Sequence, residues 1–142
     1  MKIERIGVRL KKFSILYVED DETTQELIKE ILLSSCREVF VASDGIEGLS
    51  LYKEKKPDIV LSDIAMPKMD GLKMCEAIKK INPNQAIALF TAFSESSFLK
   101  KASELEISTY ILKPLNEKQF FNSLNYLTVE LEFNTPKNKR GK

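Results

Sequence analysis

Five short apolar runs, separated by amphipathic stretches, decide most of what this chain can fold into. They lie at residues 13–18 (FSILYV), 39–42 (VFVA), 59–61 (IVL), 86–90 (AIALF) and 110–112 (YIL). Each run is nearly continuous in apolar residues. A strand with one face in water would alternate apolar and polar positions. Unbroken runs of this length suit strands buried on both faces, as in a parallel sheet.

The stretches between them carry apolar residues at helical spacing. Leu27, Ile28, Ile31 and Leu32 make one stripe, and Ile46, Leu49, Leu51 and Tyr52 a second, entered through Ser43-Asp44-Gly45. Leu72, Met74, Cys75 and Ile78 make a third, which Asp70 is placed to cap and Asn82-Pro83 to stop. Phe98, Leu99, Ala102 and Leu105 fit a fourth helix. Phe120, Phe121, Leu124 and Leu127 fit a fifth, opened by Asn116 with Gln119 three residues on. Strand and helix alternating five times predict a doubly wound α/β domain.

With 142 residues the chain has room for one such domain and can bury a core without disulfides or structural metal. Its two cysteines, Cys36 and Cys75, lack metal-ligand spacing and are expected to be buried, reduced thiols. The absence of histidine excludes a Ser-His or Cys-His catalytic pair and a histidine-ligated metal. No apolar stretch approaches the ~20 residues that span a bilayer, and the start lacks the apolar core of a signal peptide. A cytoplasmic protein is expected.

The net charge of +1 is unevenly spread. Residues 1–12 hold five Lys/Arg and one Glu, and residues 133–142 hold four Lys/Arg and no acid, so the body between them carries 13 basic and 20 acidic residues. The expected organisation is a basic N-terminal extension over 1–12, the domain over 13–132, and a basic flexible tail or linker stub over 133–142, where Asn134-Thr135-Pro136 should end any helix. Such a tail is more often a solvated terminus than a nucleic-acid contact.

In an open parallel sheet, ligands bind beyond the carboxyl ends of the strands. The first run ends in Glu19-Asp20-Asp21, the third in Ser62-Asp63, the fourth in Thr91 and the fifth in Lys113-Pro114. Any one Asp there reads as a helix cap and Thr91 alone as a turn residue. Together they bring several carboxylates, a hydroxyl and an ammonium to one edge. Clustered carboxylates repel unless a cation sits among them, and an oxygen-seeking ion such as Mg²⁺ is the natural partner. Mg²⁺ beside Lys113 would leave room for a dianionic phosphoryl group.

The segments ILYVEDDE, PDIVLSDIAMPKMDGL, ALFTAF and TYILKPL resemble, in order and spacing, the blocks of bacterial response-regulator receiver domains. The likeness runs from about residue 13 to 130, and DIAMPKMDG is its most specific part. It implies a flavodoxin-like doubly wound sheet of five parallel strands in the order 2-1-3-4-5 with five helices. By position it makes Asp63 the phosphoacceptor, Thr91 the switch hydroxyl, Lys113 the phosphate-pairing cation and Tyr110 the switch aromatic. It assigns Mg²⁺, with Mn²⁺ as a substitute, to Glu19, Asp20, Asp63 and the backbone carbonyl of Ala65. Asp20 would bind directly and Glu19 through water, with Asp21 outside the coordination. The Lys113-Pro114 bond resembles the family's cis peptide.

The resemblance further implies a histidine kinase or histidine phosphotransfer protein as donor. It implies a phosphoacceptor rather than an enzyme, signalling through the face of the fourth helix, fifth strand and fifth helix. That face would bind a protein partner of unknown identity or a second copy, with no membrane and no direct nucleic-acid role. Ala65 and Phe93 offer nothing to orient an attacking water, so slow loss of the phosphoryl group is expected. Leu115 stands where Phe is usual, and Glu106-Ile107-Ser108 where Gly-Ala-Asp is common, so the output partner is less legible than the phosphorylation site.

A stand-alone receiver is the preferred reading. The alternatives are a fragment of a longer regulator with a DNA-binding or enzymatic domain, and a receiver-like module that is never phosphorylated. A haloacid-dehalogenase-like phosphatase would need a second Asp at position 65, where Ala65 stands. A flavin mononucleotide carrier would place phosphate after the first strand, where Glu19, Asp20 and Asp21 repel it.

Overall fold

The computed structural model describes residues 10–92, 96–107 and 109–140. Five strands, β1 (Ser14–Val18), β2 (Glu38–Ala42), β3 (Ile59–Asp63), β4 (Ala86–Thr91) and β5 (Thr109–Leu112), form one sheet in the order β2-β1-β3-β4-β5. Every pairing is parallel. The helices are α1 (Glu22–Leu33), α2 (Gly45–Lys55), α3 (Gly71–Ile81), α4 (Ser96–Glu104) and α5 (Glu117–Arg140). This is the doubly wound sheet of the sequence reading.

The unbroken apolar runs have their explanation in two cores. Strand residues alternate between faces. Ile15, Tyr17, Ile59, Leu61, Ala88 and Phe90 pack with Ile28 and Leu32 of α1 and with Phe120, Leu124 and Leu127 of α5. Leu16, Val18, Val60, Ile87 and Leu89 pack on the other side with Tyr52 of α2, Leu72, Cys75 and Ile78 of α3, and Ala102 of α4. The three inner strands are buried at every position, whereas β2 and β5 at the edges are only partly covered. Burying each large aliphatic side chain contributes roughly 1.5–3 kcal/mol.

Helix starts follow the acids and amides. The Asp21, Asp44 and Asp70 side chains accept from the backbone N–H of Thr24, Glu47 and Lys73, capping α1, α2 and α3. Asn116 accepts from the Gln119 N–H at 3.0 Å and caps α5. Hydrogen bonds from Thr24 hold the Asp21 carboxyl below its ordinary range, and the Glu47 N–H does the same for Asp44.

The end of α4 is less well matched. The Ile107 N–H reaches the Ala102 carbonyl at 3.0 Å and the Glu106 N–H reaches Ser103 at 2.9 Å. This is the six-to-one and five-to-two pattern that closes a helix with a left-handed residue. That residue is Glu106, at φ 64°. Glycine takes this conformation without the Cβ penalty. Glu106→Gly is expected to stabilise the fold by about 0.5–1 kcal/mol, read as a higher urea midpoint at unchanged slope. Destabilisation would show that the Glu106 side chain carries an interaction worth more than the strain.

Two boundaries differ from the sequence reading. Leu10, assigned there to the extension, is wholly buried in the α1/α5 core, so at least this residue belongs to the domain; residues 1–9 lie outside the described residues. The backbone of α5 stays helical through Pro136 to Arg140 instead of stopping near Asn134. A proline removes one N–H and can bend a helix without ending it. Of the cysteines, Cys75 is buried but Cys36 only half-buried; both are free, and burial pushes both thiols up to about 12. Among the described residues, no helix is long and apolar enough to cross a membrane.

Candidate functional site at the carboxyl edge of the sheet

The parallel order puts the carboxyl ends of β1, β3, β4 and β5 side by side, and the chemistry-bearing residues stand there. Asp63 closes β3 and Thr91 closes β4, with Glu19 and Asp20 just beyond β1 and Lys113 just beyond β5. One carboxylate oxygen from each of Glu19, Asp20 and Asp63 lies within 4.8 Å of the others. Glu19 and Asp63 are buried, while Asp20 is exposed. The Lys113 ammonium donates to Asp63 Oδ1 at 2.8 Å, and the Ile64 N–H donates to the same oxygen at 2.9 Å. Among the described residues, no donor occupies Asp63 Oδ2.

Local packing holds Asp63 in place. The Gly71 N–H donates to the Ile64 carbonyl at 2.7 Å, so α3 starts directly against the end of β3. A Cβ at position 71 would lie 2.1 Å from the Asp63 carbonyl oxygen. Gly45 meets the following loop as closely, its N–H on the Met69 carbonyl at 3.0 Å. Lys68, at φ 67°, pairs with Asp44 at 3.6 Å and ties that loop to the start of α2. Ala65 is exposed on the same loop, two residues after Asp63.

The other expected residues are near but engaged elsewhere. The Thr91 hydroxyl is buried and donates to the Ala92 carbonyl at 3.2 Å. The Lys113 N–H reaches the Thr91 carbonyl at 2.8 Å, which couples the ends of β4 and β5. Tyr110, half-buried beside Leu89, donates its hydroxyl to the Ile107 carbonyl. The Lys113-Pro114 bond is cis, as the resemblance implies. Asp21 caps α1 and is occupied by Thr24. Phe93 lies outside the described residues, as does Ser108.

The sequence reading missed two supports of this edge. The Gln25 amide donates to the Glu19 carbonyl at 2.7 Å and the Ala42 carbonyl at 3.2 Å, tying α1 to the ends of β1 and β2. Tyr17, wholly buried, directs its hydroxyl at Glu19 Oε1, 3.5 Å away. Burial, then the negative charges of Glu19 and Asp63, push the Tyr17 hydroxyl far up, so it stays a donor. The available signal was alternation, since residues two apart share a strand face.

The donor set fits a hard divalent cation. All three side chains offer oxygen, and no histidine or thiolate competes. Glu19 is pushed up to about 7 by burial, opposed by the Asp21 N–H and reinforced by the Asp63 charge. A carboxylate so placed gains from any added positive charge. A groove of about 740 Å³ near Tyr52, Asp58 and Gln85 lies instead by the amino ends of the strands, away from this chemistry.

Comparison with known proteins agrees with the geometry. Residues 15–125 match the family model described as the response regulator receiver domain. The chain is 36% identical over 110 residues to the chemotaxis protein CheY of Treponema pallidum, covering 75% of this chain and 76% of that one. It is 33% identical over 112 residues to CheY of Thermotoga maritima, covering 78% and 93%. A solved response regulator receiver domain from Clostridium thermocellum superposes with a TM-score of 0.79 at 28% identity, over 84% of this chain and 97% of that one. Sheet order, acidic edge and family match agree: the chain belongs to the response regulator receiver domain family.

Proposed function

We propose that this receiver takes a phosphoryl group from a phosphohistidine onto Asp63, and does so only with a divalent cation of the Mg²⁺ kind. The observation carrying the proposal is the 2.8 Å Lys113–Asp63 contact beside two further carboxylates. Glu19, Asp20, Asp63 and the Ala65 carbonyl would hold the cation, which when bound offsets negative charge on the transferring phosphoryl oxygens.

The residues divide the remaining work. Lys113 and the Ile64 N–H fix Asp63 Oδ1, which leaves Oδ2 to attack phosphorus. A P–O bond forms as the P–N bond to imidazole breaks. Its electron pair leaves with the imidazole, which takes up a proton, and the product is an acyl phosphate. Lys113 then pairs with a phosphoryl oxygen. Thr91 turns from the Ala92 carbonyl toward the new dianion, and Tyr110 enters the space it leaves. The chain is a phosphoacceptor that assists its own modification, and not a turnover enzyme.

The switch biases a two-state equilibrium at the α4–β5–α5 face. Phe98, Leu112 and Tyr126, 36%, 39% and 53% exposed, give that face apolar anchors for a protein partner. Ala65 has only a methyl to present to an attacking water, so the acyl phosphate persists for minutes or longer.

The test is intact mass after incubation with acetyl phosphate, in Mg²⁺ and in EDTA. One added phosphoryl group, only with Mg²⁺ and decaying over minutes once donor is removed, is the expected result. Equal uptake in EDTA would remove the cation from the reaction. No uptake in either would leave a binding module that is not phosphorylated.

A further inference from the structure

Glu19 is the most deeply placed acid of the edge, and something has to orient it. Its Oε2 accepts from the Asp21 N–H at 3.0 Å. Its Oε1 faces the Tyr17 hydroxyl at 3.5 Å, long for an O–H···O bond. The weight of this contact comes from its setting. Tyr17 is wholly buried in β1, and among the described residues Glu19 is its hydroxyl's one hydrogen-bond acceptor. A buried hydroxyl is costly to leave unpaired.

The ring is held from the far side. Tyr17 meets Phe90 edge-on at 5.9 Å, Phe90 stacks on Phe120 at 6.1 Å, and Phe120 meets Phe121 at 5.4 Å. The hydroxyl therefore reaches Glu19 from a fixed aromatic stack running from β1 through β4 to the first turns of α5. A phenylalanine would fill the same apolar space. The oxygen is what packing alone leaves unexplained.

We propose that Tyr17 is a positioning residue for the divalent cation, its buried hydroxyl holding the Glu19 carboxylate turned toward Asp20 and Asp63. This rests on the cation site proposed above. Two donors, one on each oxygen, fix the carboxylate; removing one frees its rotation. The freed carboxylate is less well placed for the cation, and binding weakens.

The experiment is a Mn²⁺ titration followed by electron paramagnetic resonance, with thermal melting of the metal-free protein alongside. Wild type and Asp20→Asn come first: binding that Asp20→Asn weakens establishes the site itself. Tyr17→Phe should then bind Mn²⁺ about fivefold more weakly, the size of one hydrogen bond, while melting within a few degrees of wild type. In the Glu19→Gln background the same change should have no effect, because the hydroxyl acts through Glu19. Unchanged or tighter Mn²⁺ binding in Tyr17→Phe would overturn the proposal, as would an equal loss in the Glu19→Gln background. Failure of wild type to bind Mn²⁺ would overturn the cation site as well.

Discussion

Lys113→Met will slow phosphoryl uptake by about 100-fold or more at saturating Mg²⁺, with the fold retained. The Lys113 ammonium sits 2.8 Å from Asp63 Oδ1 at the mouth of a cluster holding two more carboxylates. It is the positive side chain in contact with the acceptor, and negative charge gathers on the phosphoryl oxygens as they approach. A preorganised charge at such a point commonly supplies a factor of about 10²–10³. The lysine is partly exposed and lies beyond the end of β5, so its loss removes little packing. Lys113→Arg should recover only part of the rate, because a planar fork does not reproduce a point charge. Initial rates from intact mass against acetyl phosphate decide the matter. A Lys113→Met rate within threefold of wild type would show that the lysine serves structure rather than transfer.

Gly71→Ala will cost about 3 kcal/mol by urea unfolding. The added Cβ would lie 2.1 Å from the Asp63 carbonyl oxygen and 3.1 Å from its carbon, both backbone atoms of a central strand. That strand is paired on both sides and cannot yield without disturbing β1 and β4. Relief must come from α3 moving away, which breaks the 2.7 Å bond from Gly71 to the Ile64 carbonyl and disturbs the acceptor. Gly48→Ala is the matched control. Its Cβ would meet side chains and no backbone, the Met74 sulfur at 2.7 Å and Val18 Cγ2 at 3.0 Å, and alanine favours the helix there. It should cost under about 1 kcal/mol. Equal losses at the two positions would contradict the view that contact with rigid backbone sets the cost.

The β1, β3 and β4 positions were plain in the sequence because burial on both faces leaves an unbroken apolar run. The convergence of Glu19, Asp20, Asp63, Thr91 and Lys113 followed from strand ends meeting in a parallel sheet. Helix faces were less certain. Leu27 joined the α1 stripe on spacing, yet it is 57% exposed while Ile28 and Leu32 are buried. One step along a helix turns a side chain by about 100°, so adjacent apolar residues cannot all face the core. Leu10 was hidden among lysines and arginines, since a single buried leucine has no periodicity. The reach of α5 past Pro136 was hidden by a residue that more often stops a helix. Tyr17 read as core, and it is core; only its hydroxyl partner, two residues on, gives it a second role. The tight approach of Gly71 to Asp63 depends on how closely α3 meets β3, which no local pattern encodes.

Where the phosphoryl group goes is the point on which the account stands. The most direct measurement is reductive trapping: protein incubated with acetyl phosphate and Mg²⁺, then borohydride, then peptide mass analysis. An acyl phosphate on aspartate is reduced to homoserine, and a phosphate ester on serine or threonine is not. Homoserine at position 63 alone, absent when EDTA replaces Mg²⁺, is the predicted result. Homoserine at position 20 or 21, or phosphate retained on a hydroxyl, would contradict the assignment of Asp63 as the acceptor.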